Sequence, residues 1–145
     1  MSPLRRVEKL PSWLLSQANA RGHRLLADAL GAHGLRGYHV RLLAALDEHG
    51  TLSQADLGRR TGIDRSDVVA TLDELAALGL ARRSPDPSDR RRNVVTITAV
   101  GVDRLVEIDA VLQQVQDRLL APLSPNERAT FVPLLAKVAG RSDTD

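Results

Sequence analysis

Residues 52–68 read Leu52-Ser53-Gln54-Ala55-Asp56-Leu57-Gly58-Arg59-Arg60-Thr61-Gly62-Ile63-Asp64-Arg65-Ser66-Asp67-Val68, and one layout occurs in them twice. Leu52-Ser53 with Asp56-Leu57, and Ile63-Asp64 with Asp67-Val68, each set an apolar residue, a capping Ser or Asp, an Asp three residues on and a second apolar residue. The cap oxygen accepts from the N3 amide, and the N3 carboxylate reaches back toward the amide of the cap, Asp having less reach for this than Glu. Leu52 with Leu57 and Ile63 with Val68 are spaced to close as hydrophobic staples. Two helix starts eleven residues apart force a short helix over 54–60, a tight turn at Thr61-Gly62-Ile63 and a longer helix over 65–78, which Gly79 ends. That is a helix-turn-helix.

After Gly79 the period falls from 3.6 to 2. Residues 80–84 and 93–98 read as strands, with Val95 and Ile97 alternating against Val94, Thr96 and Thr98. Pro85-Asp86-Pro87-Ser88-Asp89 between them is a turn-forming run that cannot continue a strand. The far end of the hairpin therefore carries Arg90, Arg91 and Arg92, and a helix-turn-helix followed by such a hairpin is a winged helix. On the 65–78 helix the expected buried face is Val68, Leu72 and Leu75, which leaves Arg65, Ser66, Asp67, Ala70 and Thr71 outward, toward base edges in a major groove. Arg holds guanine bidentately, Ser serves several bases, and the Thr methyl suits a thymine methyl. Guanidinium groups at the wing tip suit the negative potential of a narrow minor groove, or else form a solvated loop. Of Arg82 and Arg83 at the hairpin base, one can contact DNA or simply pair with an acidic neighbour. Ser53 and Gln54 are either donors to a phosphate or caps and nothing more.

Helices flank this lobe. Ser12 can cap one that runs to about Leu30 and stops at Gly31, and a second spans about 36–48. Thr98 caps a long helix over 99–121 on which Leu105, Ile108, Leu112, Val115 and Leu119 recur at spacings of 3, 4, 3 and 4. A stripe that narrow suits packing against another helix. Ser124-Pro125-Asn126-Glu127 is a capping box with Pro at the first helical position, opening a last helix that bears Phe131, Leu134, Leu135 and Val138. The tail from Ser142 to Asp145 reads as frayed.

Composition narrows the function classes. A chain of 145 residues with 43% hydrophobic and 26% charged residues is of ordinary globular make-up, sized for one domain or one lobe with helical arms. The absence of Cys removes disulfides, thiolate zinc sites, cysteine nucleophiles and thiol-oxidation sensing. Aromatics at 2% argue against base-stacking platforms for single strands. No apolar run reaches the roughly 20 residues of a membrane span, so a soluble cytoplasmic protein with no membrane contact is expected. His23, His33, His39 and His49 form no i, i+4 pair, and there is neither a phosphate loop nor a nucleophile elbow, so no metal, cofactor or catalytic activity is expected. The net charge of +2 is small but unevenly spread. Eighteen of the twenty basic residues are Arg, residues 82–92 carry +3 and residues 93–145 carry −2.

The run Arg82-Arg83-Ser84-Pro85-Asp86-Pro87-Ser88-Asp89-Arg90-Arg91-Arg92-Asn93-Val94-Val95-Thr96-Ile97-Thr98, with Gly101 after it, resembles the wing signature of MarR-type transcriptional regulators. Asp64-Arg65-Ser66-Asp67-Val68-Val69 and Leu72-Asp73-Glu74-Leu75 look like that family's recognition helix, and the resemblance extends over nearly the whole chain. It implies a mainly α fold with a small β-hairpin wing: an N-terminal dimerisation arm over 1–34, a winged helix-turn-helix over 35–98 and C-terminal dimerisation helices over 99–145. It further implies a homodimer that sets two recognition helices on a pseudopalindromic operator in double-stranded DNA and acts as a ligand-responsive repressor. By the same resemblance Asp73 matches the acid that ties recognition helix to wing, and Arg91 matches the wing Arg that pairs with it or enters the minor groove. Family ligands, small aromatic or phenolic acids among them, sit between the arms and the lobe. Trp13, His23, Tyr38, His39 and Arg41 are the polar and aromatic candidates there, and Arg41 is the cation a carboxylate needs. The competing readings are a winged-helix dimer acting as a DNA-architectural or protein-partner module without effector response, and a regulator with no ligand at all.

Overall fold

The computed structural model describes residues 4–141. Among them lie six helices and a three-stranded sheet: α1 (Pro11–Gly31), α2 (Gly37–His49), β1 (Leu52–Ser53), α3 (Gln54–Thr61), α4 (Arg65–Ala77), β2 (Ala81–Pro85), β3 (Asn93–Ile97), α5 (Ala99–Leu119) and α6 (Pro125–Val138). The fold is mainly α with a hairpin wing, as the periodicity predicts. The tail from Ser142, expected to fray, lies outside the described residues. The chain forms two units: Leu26–Gln113, and the residues before Leu26 together with those after Gln113.

The unit Leu26–Gln113 has one core. Leu30, Leu35, Leu42, Leu43, Leu46, Leu57, Ile63, Val68, Leu72, Leu75, Leu80, Val95 and Ile108 are buried in a single cluster. On α4 the buried residues are Val68, Thr71, Leu72 and Leu75, the i, i+3, i+4, i+7 stripe of a helix laid on a core. Between α3 and α4 the chain reverses at Gly62, whose φ of 69° is a left-handed conformation that costs an L side chain about 1 kcal/mol or more. Its amide donates to the Gly58 carbonyl at 2.9 Å.

The sheet is antiparallel in the order β1-β3-β2. Arg83 pairs with Val95 and Pro85 with Asn93 across the hairpin, while Leu52 and Ser53 pair with Val95 and Val94 on the other side of β3. The sequence reading has no β1, since two residues are too few to show a period. The strand matters, because it joins the start of the helix-turn-helix to the wing, and the Thr51 and Thr96 hydroxyls, 3.0 Å apart, extend the join.

The second unit departs from expectation at its start. Ser12 lies inside α1 and caps nothing, since the helix begins at Pro11 and Leu14 already donates to the Leu10 carbonyl at 3.0 Å. Pro suits the first helical position because its φ is preset and its missing N–H is one a helix start cannot use. Arg21 on α1 donates through Nη1 to the Leu119 carbonyl at 2.7 Å and through Nη2 to the Arg118 carbonyl at 3.0 Å, closing the C-terminus of α5. Gly22 packs beside Leu119. The box that opens α6 forms in full: the Glu127 amide donates to Ser124 Oγ at 3.2 Å and the Ser124 amide to Glu127 Oε1 at 2.9 Å. Within one protomer α6 buries none of its side chains, and Leu14, Leu15, Phe131, Leu134, Leu135 and Val138 are all exposed.

One contact in the larger unit is unusually close. A Cβ built on Gly101 of α5 would stand 2.1 Å from the Leu80 carbonyl oxygen and 2.8 Å from Ile97 Cγ1. That carbonyl also accepts from the Thr98 amide at 3.1 Å, so it cannot simply swing away. Gly101→Ala is therefore expected to cost at least the 1–3 kcal/mol typical of overpacking and to lower Tm in a thermal melt followed by circular dichroism.

Candidate nucleic-acid interface

Two caps set the geometry. At α3, Ser53 Oγ accepts from the Asp56 amide at 3.1 Å and donates to Asp56 Oδ2 at 2.9 Å. The N3 acid thus answers the cap's hydroxyl and not its amide, as its short side chain requires. Arg59 also binds Asp56, and the Ser53 hydroxyl together with the Arg59 guanidinium holds the Asp56 carboxyl below its ordinary pKa. At α4, Asp64 Oδ2 accepts from the Ser66 amide at 3.3 Å and the Ser66 hydroxyl at 2.6 Å. The expected partner, the Asp67 amide, is replaced by the nearer N2 residue. Asp67 keeps its carboxylate exposed at the first turn, where the helix dipole favours it.

The structure places Arg65, Ser66, Asp67 and Ala70 on the exposed side of α4, and Gln54 and Arg65 line one surface hollow between α3 and α4. Arg59, which the sequence reading passed over, lines it too and signalled itself only as the i+3 partner of Asp56. Thr71 is a correction. It is 1% exposed, turned into the core as part of the α4 stripe, so its methyl has no route to a thymine. The expectation assigned Thr71 outward by polarity, whereas a helix rotates 100° per residue and puts it beside Val68 and Leu75.

The wing turn is built by its two acids. Asp86 Oδ1 accepts from the Ser88 amide at 2.9 Å and the Ser88 hydroxyl at 2.7 Å, and Asp89 Oδ1 accepts from the Arg91 amide at 3.0 Å. The Asp86 amide donates to the Arg92 carbonyl at 2.8 Å and closes the loop. Arg92 stands 3.7 Å from Asp89, while the side chains of Arg90 and Arg91 are exposed and have no ion pair among the described residues. Arg82 is exposed on β2. Arg83, next to it, takes the acidic neighbour that one hairpin-base arginine was expected to find: it binds Asp73 and donates to the Val69 carbonyl at 3.3 Å. The expected Asp73–Arg91 tie is corrected accordingly. Arg83 leaves the sheet directly beside α4, whereas Arg91 sits out at the tip of the hairpin.

A second fastening was not foreseen. His39, 4% exposed, accepts at Nδ1 from the Arg36 amide at 2.9 Å and meets Glu74 Oε2 of α4 through Nε2 at 2.5 Å. Arg36 Nη2 donates to the same oxygen at 2.5 Å. His39 thereby serves as N3 of α2 and is spent on structure. Of the other ligand candidates, the Arg41 guanidinium lies 5.5 Å from the Tyr38 ring centroid on the outer side of α2, a cation–π pair. Trp13, half-buried, and His23, exposed, belong to the other unit. Among the described residues no group of His, Asp or Glu is placed to hold a metal ion, and no helix is long and apolar enough to cross a membrane.

The chain has relatives. A model of the MarR family matches residues 33–92. The HTH-type transcriptional repressor NicR of Pseudomonas putida is 33% identical over 96 residues, 66% of this chain and 61% of that protein, so the match spans about six tenths of that curated relative. The crystal structure of a probable transcriptional regulator from Pseudomonas aeruginosa superposes with a TM-score of 0.80 at 34% identity, covering 92% of this chain and 99% of that one. BpsR of Bordetella bronchiseptica, whose DNA binding is regulated by 6-hydroxynicotinic acid, superposes with a TM-score of 0.79 at 29% identity over 96% of this chain and 97% of its own.

The carboxylates that shape the interface share one electrostatic signature. Hydrogen bonds from Ser53 and Arg59 on Asp56, from Ser66 on Asp64, from Ser88 on Asp86, and from Arg36 and His39 on Glu74 hold each below its ordinary value of 3.8 for Asp or 4.5 for Glu. A carboxyl whose pKa is lowered by folding stabilises fully above its unfolded value and loses that contribution as pH falls through the folded one. Tm is therefore expected to hold nearly level from pH 7 to about 5 and to decline progressively below about 4, as read from thermal melts across that range.

Proposed function

The chain belongs to the MarR family, and on that premise we propose that it is a sequence-specific regulator of transcription, a ligand-responsive repressor that binds double-stranded DNA as a homodimer. The observation that carries this reading is the pairing, in one compact unit, of an exposed α4 N-terminal turn with a wing tip whose Arg90 and Arg91 have no ion pair among the described residues. On this reading Arg65, Ser66, Asp67 and Ala70 face bases in the major groove. Ser53 and Gln54 meet the phosphate backbone at the start of α3. Arg90 and Arg91, with Arg92 and Arg82 behind them, grip the minor groove and its phosphates.

Dimerisation is supported by the exposed apolar row Phe131, Leu134, Leu135 and Val138 on α6, joined by Leu14 and Leu15 on α1, which one protomer leaves uncovered. The boundaries we assign are an N-terminal arm over 1–34, a DNA-binding lobe over 35–98 and C-terminal dimerisation helices over 99–145. Two lobes held about 34 Å apart match one turn of duplex, and a ligand preferring another separation weakens DNA binding by linkage. The effector class we assign is a small hydroxylated aromatic acid, in line with BpsR. Arg41 against Tyr38 offers it a cation beside an aromatic face. Such a protein works in the cytoplasm and needs no catalytic group, metal or cofactor.

Selection of bound fragments from a random duplex pool at about 0.15 M salt tests this. A pseudopalindrome of about 16–20 base pairs is the expected product, with half-sites one turn apart. Diffuse recovery without a motif would instead indicate an architectural or partner-binding module. Against the selected duplex, Arg65→Ala is expected to cost about 1–3 kcal/mol and to relax preference at one position. Arg91→Ala is expected to weaken binding to all sequences alike and to shallow the salt dependence by about one unit. Unchanged affinity in both variants would sink the proposal.

A further inference from the structure

We infer that Arg36, His39 and Glu74 are positioning residues for base recognition: they fix the fine roll of α4 about its own axis and so aim its exposed side chains at the DNA. The inference rests on the regulatory reading above. The buried stripe of α4 settles which face of the helix meets the core, but apolar contacts are non-directional and leave a margin of rotation. Within that margin the roll is set by directional bonds on the flanks. Asp73 is taken by Arg83 from the hairpin, and Glu74, 100° further round, is taken by Arg36 and His39 from the N-terminus of α2. Adjacent carboxylates anchored to two different elements hold a cylinder as two stays hold a mast.

The His39 ring is committed to this task. Its Nδ1 accepts the Arg36 amide hydrogen, so the neutral ring carries its proton on Nε2 and donates it to Glu74. Buried as it is, the ring cannot reach DNA. Glu74 sits seven to nine residues beyond Arg65–Asp67, about 10–14 Å along the helix, and is bound to α2. Any influence of either on base readout passes through the orientation of α4, and base contacts tolerate only about 10–20° of misdirection.

Glu74→Gln keeps the size and one acceptor oxygen and removes the charge that draws the two donors. Affinity for the selected duplex and for a random duplex is measured across salt concentrations, with Tm alongside. The expected result is about a tenfold loss on the selected duplex with unchanged non-specific affinity and salt slope, so that the specificity ratio shrinks. The sign is informative, because removing a carboxylate near DNA by plain electrostatics would tighten binding to every sequence. Tighter binding to both duplexes, or an unchanged ratio, overturns the inference. Arg36→Gln spares the backbone cap on His39 and supplies the same test should Glu74→Gln fail to fold. An unchanged salt slope in it shows that Arg36 acts on Glu74 and not on phosphate. If the wild type selects no site, the regulatory reading fails and this inference with it. If the wild type selects a site and both variants keep the ratio, this inference alone fails.

Discussion

The burial of Val68, Thr71, Leu72 and Leu75 against the leucines of α2 and α3 settles which side of α4 is left to solvent, and the other features of the lobe follow from it. Each fully buried Leu or Val contributes on the order of 1.5–3 kcal/mol, and a few such residues make up a large share of a small domain's net stability. With that face inward, Arg65, Ser66, Asp67 and Ala70 are outward by helical geometry alone. Asp73 and Glu74 lie side by side on the exposed side of α4, where polar partners from two different elements reach them. These two carboxylates carry the directional bonds, and the neighbouring elements supply the donors: Arg83 from β2, His39 from α2 and Arg36 from the cap before it.

Charge in the wing is organised by division of labour. Asp86 and Asp89 spend their oxygens on the turn's own amides and hydroxyls, so they shape the loop more than they neutralise it. Among the described residues, only Arg92 lies within ion-pair reach of either acid there. A run whose formal charge is modest therefore presents two unopposed guanidinium groups. Counting charges along the sequence understates such a surface, because the count treats an acid committed to backbone bonds as a counterion.

Much of the lobe could be read from the residues, and the failures have particular causes. The repeated cap-and-staple layout placed α3 and α4 because capping is local chemistry that tertiary contacts seldom override. The change of period after Gly79 placed the hairpin for the same reason. Ser12 has the chemistry of a cap, but Pro11 beside it is the better start and the helix begins there. β1 has two residues and owes its existence to β3, a partner some forty residues away, which no local pattern reveals. Thr71 is polar, but its place in the helical rotation beside Val68 and Leu75 turns it inward. The partner of Asp73 and the role of His39 depend on which distant side chain arrives within about 3 Å, a matter of tertiary placement that spacing does not encode. Of the candidate DNA-facing residues, Arg65, Ser66, Asp67, Ala70 and the arginines at 82 and 90–92 are exposed, Ser53 and Gln54 are half-buried, and Thr71 is buried.

The order β1-β3-β2 gives the wing a division between a fixed root and a free tip. Ala81 and Val95 are buried, and Ser53 is at once a residue of β1 and the cap of α3, so a change at the root is felt by the core and by the helix-turn-helix together. Beyond Pro85 and Asn93 the loop is held by its own short-range bonds, and its side chains are largely exposed. Insertions, deletions and charge changes there leave the folding free energy nearly untouched. Among proteins built this way, the tip is thus the segment that can drift and duplicate into new DNA preferences while the root stays under the purifying pressure of the core.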